Sequence, residues 1–142
     1  MNKKPKVAFV CVHNSCRSQM AEALAKEYAF DVFEAYSGGF KTGTETKSNI
    51  NPDAVEVLKD LYNIDMTKTQ YPKLINNLPD VDIVIKMGCN VSCPFLPSKH
   101  EEDWGLDDPS GKNKEEFIKT AEEMENKIKN LALRIKNKEI NV

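Results

Sequence analysis

Cys11 is followed at the sixth position by Arg17 and then by Ser18, within the stretch Val7-Ala8-Phe9-Val10-Cys11-Val12-His13-Asn14-Ser15-Cys16-Arg17-Ser18. A cysteine attacks as its thiolate, and backbone N–H groups, a hydroxyl and a guanidinium are the groups that stabilise one. With five residues between Cys11 and Arg17, the loop can curl so that its amides converge on one tetrahedral oxyanion while the guanidinium forks two of its oxygens. The sulfur then lies beneath the central atom, and attack on that atom is the chemistry this spacing predicts. Val12, His13, Asn14, Ser15, Cys16, Arg17 and Ser18 would line the anion. The chain holds only two arginines, Arg17 and Arg134, so an arginine at this offset from a cysteine is an improbable accident.

A second pair, in Cys89-Asn90-Val91-Ser92-Cys93-Pro94, lies far away in sequence. Zinc is a poor explanation for the four thiols. Structural zinc sites favour two-residue spacings, these pairs have four and three intervening residues, and Arg17 would repel a cation beside Cys11. Cys16 reads as a small buried thiol packed against the sheet. His13 and His100 read as solvated or locally packed, and Trp104 as core or cleft wall.

The elements that must position these groups follow from apolar patterning. Val7 to Val10 is an apolar run suited to a parallel strand covered on both faces, and helical periodicity resumes at Met20, Ala21, Leu24, Ala25 and Tyr28. Cys11 thus falls where a strand gives way to a helix predicted over 18–29. The first turn of such a helix offers unpaired N–H groups and a positive dipole end.

Further on, Val32 to Tyr36 alternates as a second strand and stops at Ser37-Gly38-Gly39. Residues 40–50 read as a loop, Asn51-Pro52 as a helix start, and Ala54, Val55, Leu58, Leu61 and Tyr62 as that helix's buried stripe. Pro72 to Leu78 reads as one or two helical turns, and Val81 to Met87 as another strand. Trp104-Gly105-Leu106 reads as a last short strand, and Asp107-Asp108-Pro109-Ser110-Gly111 as a turn. Phe117, Ala121, Met124, Ile128, Leu131 and Ile135 repeat at helical spacing in a long closing helix. Parallel sheets bind ligands beyond their strands' carboxyl ends, so Cys11 and Cys89 are expected as neighbours.

Composition bounds the rest. The 142 residues suit one domain, 1–142, and 40% hydrophobic with 30% charged residues and a net charge of -2 is ordinary for a globular protein. No nucleic-acid partner is indicated. No apolar run has membrane-span length and the N-terminus carries no signal-peptide core, so no membrane partner and a cytoplasmic location are the expectation. The thiols are then expected to be reduced and reactive at rest.

The residues from Cys11 to Glu22, CVHNSCRSQMAE, together with the later cysteine pair followed by proline and the run WGLDDPSG, resemble the low-molecular-weight protein tyrosine phosphatase superfamily. Within it they are most similar to the thioredoxin-coupled arsenate reductases. The resemblance covers the chain from Val7 to the closing helix. It implies an α/β, three-layer fold with a four-stranded parallel sheet flanked by helices, and a monomer without a tightly bound cofactor. It also implies that Cys11 is the nucleophile, that Arg17 and the loop amides hold arsenate or a phosphate-like oxyanion, and that Ser18 hydrogen-bonds the thiolate. Asp108 is implied as general acid, with Asp107 as the competing carboxylate.

The reductase branch further implies a relay in which Cys89 attacks the Cys11 adduct and Cys93 takes over the resulting disulfide, with thioredoxin as the final reductant. Only three residues separate Cys89 from Cys93, a shorter spacing than in well-known members. Reductases of this branch often hold potassium, and Asn14, Glu22, Ser37 and Asp65 match its ligands; the same residues read equally as loop-fixing and local hydrogen-bonding groups. Two other readings stay open. One is a phosphatase acting through a phosphocysteine, which the loop and Asp108 would suffice for and which would leave a reductase some residual phosphatase activity. The other is a non-catalytic oxyanion binder, for which an acid would be superfluous.

Overall fold

The structure is a computed structural model, and it describes residues 4–11, 14, 16–39, 50–88, 96–140 and 142. Its centre is a strand, β1 (Lys6–Cys11), whose residues Val7 to Val10 are almost wholly inaccessible. β1 pairs in parallel with β2 (Glu34–Gly39) on one side and β3 (Ile83–Lys86) on the other. β4 (His100–Asp103) adds in parallel to β3, giving the order β2-β1-β3-β4. All four strands therefore point their carboxyl ends the same way, as the α/β fold class requires.

Alternation along β1 divides the core. Val7, Phe9 and Cys11 face the helices together with Ile83, Ile85 and Met87, whereas Ala8, Val10 and Val84 face the other side. On the helical side α1 (Arg17–Tyr28) lies on the sheet, α3 (Lys114–Lys136) packs on α1, and α2 (Pro52–Tyr62) packs on α3. Every residue of α1 from Arg17 to Ala25 is buried, because the helix is enclosed by sheet and helix alike. Phe9 anchors this side, with ring centroids 6.4 Å from Phe33 and 5.7 Å from Trp104. Truncating it to alanine would cost about 3–5 kcal/mol.

The opposite face is covered by a shorter segment. A 3-10 turn at Ile75–Asn77, with Leu78 and Leu96, packs on Val10, Val81 and Val84. The segment comes close because β2 carries Gly38 there: a Cβ at Gly38 would stand 3.1 Å from the Ile75 Cα.

Three details depart from sequence expectation. The second strand runs from Glu34 to Gly39 rather than from Val32 to Tyr36: Val32 and Phe33 both donate to the Ala29 carbonyl in a turn that closes α1, and Ser37 to Gly39 continue the pairing with Phe9 to Cys11. The buried stripe of α2 is Ala54, Val57 and Leu58; Leu61 is exposed, and Val55 and Tyr62 are only half-buried. The last strand is the polar stretch His100–Asp103, not Trp104–Leu106. It lies on a sheet edge, where charged residues are favoured. His100 also contributes to the strand and touches the Glu102 carboxylate at 2.7 Å. Two Arg134 nitrogens reach Glu102 at 2.5 and 3.0 Å, and these bonds hold its carboxyl down at about 2. No helix among the described residues is long and apolar enough to cross a membrane.

Candidate active site

Cys11 is the last residue of the central strand, and α1 begins six positions later with Arg17. Between them Asn14 adopts φ 52 in the left-handed region, which asparagine tolerates better than most residues. That turn aims its side chain inward. Asn14 Nδ2 donates to Ser18 Oγ at 2.8 Å, and Ser18 Oγ lies 2.8 Å from Cys11 Sγ. Ser18 Oγ accepts from Asn14 and keeps a hydroxyl proton that it can donate to the sulfur. The chain of contacts is wholly buried: Asn14 and Ser18 expose nothing, and Cys11 only 3% of its surface.

Arg17 is fixed by backbone carbonyls. Its Nη1 donates to Met87 O at 2.5 Å and to Leu106 O at 2.8 Å, while Nη2 faces Asp108 Oδ2 at 3.9 Å. The guanidinium thus joins the end of β3 to the turn that follows β4. Gly88 lets those two segments meet: it sits at φ +93, and a Cβ there would come within 2.9 Å of Leu106 O. Asp108 has its carboxyl half exposed and accepts the Ser110 N–H at 3.0 Å. It is the carboxylate that Arg17 faces, at the mouth of the site. That position allows it to exchange a proton with solvent and with a group bound at Arg17.

Cys16 lies among the same groups, near Ser110, Asp108, Cys11 and Arg17. It is buried, its Sγ contacts Met20 Sδ at 4.0 Å, and desolvation pushes its thiol up to about 12. A thiol so protonated is a packing group. At the N-cap of α1 its side chain makes no capping bond, and the first turn carries no acidic residue. The amides there keep their positive field for a ligand.

A glutamine layer that sequence reasoning did not pick out supports Asn14. The two N–H groups of Gln19 Nε2 are shared among three acceptors, Asn14 O, Asn14 Oδ1 and Tyr71 O, each at 2.9 Å. Gln70 Nε2 donates in turn to Gln19 O at 3.0 Å and Oε1 at 2.8 Å. Lys73 completes the layer, its backbone N–H donating to Asn14 Oδ1 at 2.9 Å. Gln19 lies within the CRSQMAE run, but nothing in the sequence joins Gln70 or Lys73 to it. Of the residues matched to potassium ligands, Asn14 accepts from the Lys73 N–H, and Glu22 and Ser37 face the Lys73 ammonium. Asp65 instead caps the 3-10 turn Met66–Lys68, and its bond to the Thr67 hydroxyl holds its carboxyl below the usual range. Val12, His13, Ser15, Cys89 and Cys93 lie outside the described residues.

The chain as a whole is matched by known proteins. The sequence profile of the low molecular weight phosphotyrosine protein phosphatases covers residues 6–141. The arsenate reductase of Staphylococcus aureus strain Newman is 36% identical over 138 residues, spanning 94% of this chain and 100% of that protein. Among solved structures, an arsenate reductase in the phosphate-binding state superposes with a TM-score of 0.80 at 33% identity, over 92% of this chain and 98% of that one. The thioredoxin-dependent arsenate reductase of Corynebacterium glutamicum superposes with a TM-score of 0.72 at 34% identity, over 96% of this chain and 64% of that one. The chain belongs to the low molecular weight phosphotyrosine protein phosphatase family, and arsenate reductases are among its relatives there.

Proposed function

We propose that this protein reduces arsenate to arsenite with thioredoxin as the electron source. The observation that carries the reading is the buried Asn14–Ser18–Cys11 chain, which activates one thiol beside an arginine held for an oxyanion. The arsenate reductase relatives, matched over nearly their whole length, favour arsenic over phosphorus as the central atom.

In this reading the Cys11 thiolate attacks arsenic, and Asp108 protonates the departing hydroxide to water. Arg17 and the loop amides carry the charge of the oxygens. Cys89 then attacks the Cys11 sulfur. The S–As bond breaks with its electron pair left on arsenic, so arsenic(V) becomes arsenite and two thiols become the Cys11–Cys89 disulfide. Cys93 displaces Cys11 to give Cys89–Cys93, and thioredoxin reduces that bond. The test is NADPH consumption dependent on arsenate, thioredoxin and thioredoxin reductase. Cys89→Ser should release at most one arsenite per chain without turnover; sustained turnover by that variant would sink the relay.

The family's phosphatase members support a second reading, hydrolysis of a phosphoester by the same Cys11, Arg17 and Asp108. An aryl phosphate turned over with a larger kcat/KM than arsenate would favour it.

A further inference from the structure

Beneath the anion loop lies a cluster that the proposed chemistry does not use. Glu22 is buried in the middle of α1, with 6% of its side chain exposed. An isolated buried carboxylate is costly, and this one is matched by nearby cations. Its Oε2 pairs with Lys26 Nζ at 2.5 Å on the outer side. On the inner side Oε1 accepts the Ser37 hydroxyl at 2.5 Å and lies 3.5 Å from Lys73 Nζ. The same ammonium stands 3.4 Å from both Ser37 Oγ and Tyr71 O, and 5.3 Å from the centre of the Tyr71 ring. Lys73 exposes only 15% of its side chain.

A potassium ion does not fit among these groups. Asn14 Oδ1 already accepts the Lys73 N–H and faces Gln19 Nε2, both at 2.9 Å. Glu22 Oε1 already accepts from Ser37 and faces an ammonium. Asp65 Oδ1 is occupied by the backbone N–H and the hydroxyl of Thr67, at 3.1 and 2.5 Å. A further cation would bring a third positive charge to one carboxylate. The Lys73 ammonium, with carboxylate, hydroxyl and carbonyl oxygens around it, supplies the charge an ion would bring.

We propose that Lys73 is the resident cation of this cluster, standing in place of a bound monovalent ion and positioning the anion loop. The covalent connection explains the positioning. Lys73 pairs with the end of β2, its carbonyl accepting the Gly39 N–H at 2.8 Å, while its own N–H holds Asn14. Drawing the ammonium onto Glu22 and Ser37 seats that backbone, and through Asn14 it seats Ser18. The oxyanion loop is thereby tied to the sheet edge by a cation that is covalently part of the chain. Its readout is cation binding, so this assignment stands or falls separately from the arsenate reading.

The experiment follows thermal unfolding of the full chain, and its affinity for inorganic phosphate, as KCl replaces choline chloride at constant ionic strength. Wild type should give superimposable melting and binding curves in the two salts. Lys73→Met, which keeps the stem and removes the charge, should melt lower by about 4 °C. It should also bind phosphate several-fold more weakly, and both losses should be recovered by potassium and not by choline. A saturable, potassium-specific stabilisation of wild type would overturn the proposal, and that arm needs no variant. A Lys73→Met chain that melts like wild type, or one weakened without response to potassium, would overturn it equally.

Discussion

α1 and α3 begin in opposite ways. α3 starts at Asn113, whose side chain accepts the Glu116 N–H at 3.2 Å, and Glu115 and Glu116 place negative charge in its first turn. α2 does the same with Asn51 and Asp53. At the head of α1, Cys16 caps nothing, no acid is present, and the first residue is the cation Arg17. On a free-standing helix that choice opposes the dipole by about 0.3–1 kcal/mol. The starts of α2 and α3 are capped and carry acids that complement the dipole. At α1 the unfavourable charge is held in place by two carbonyls, where the proposed reaction would meet its anion.

Substitutions at the two kinds of helix start should separate function from stability. Arg17→Lys keeps the charge but loses the planar fork that reaches Met87 and Leu106 while facing the anion. Its kcat/KM for arsenate should fall by about 10²-fold or more in the thioredoxin-coupled assay. Ser18→Ala removes the hydroxyl between Asn14 and Cys11. Alkylation of Cys11 by iodoacetamide should slow by about tenfold or more, and kcat/KM should fall alongside. Asn113→Ala should do the reverse, lowering stability by about 1 kcal/mol in urea unfolding and leaving kcat/KM unchanged. A loss of activity in Asn113→Ala, or a loss of only stability in Arg17→Lys, would break the contrast.

Cys11, Arg17 and Ser18 could be singled out in the sequence because they fall within one short stretch, between an apolar run and a helical pattern. The order of elements was legible where apolar periodicity was strong, as in β1 and α3. β4 was not, since His100–Asp103 owes its strand conformation to pairing with β3 and to Arg134, and to nothing in its own propensity. Gln70 and Lys73 escaped for a related reason. Polar residues in an irregular segment carry no pattern, and their roles arise only when the chain returns to the loop from more than fifty positions away. Gly88 follows the strand predicted over Val81 to Met87, and its close approach to Leu106 is a tertiary fact.

The central place of β1 also bears on how the molecule opens. Amides of a strand flanked on both sides exchange with solvent only in large, cooperative openings, whereas exposed irregular segments open at little free energy. Val7 to Val10 belong to the first kind; the segment carrying Asp107 and Asp108, both exposed and outside any helix or strand, belongs to the second. Hydrogen exchange should therefore rank β1 among the slowest regions and the segment carrying Asp107 and Asp108 among the fastest. In the reaction proposed above, the acid would then sit on a segment that opens easily and the sulfur on a strand that does not.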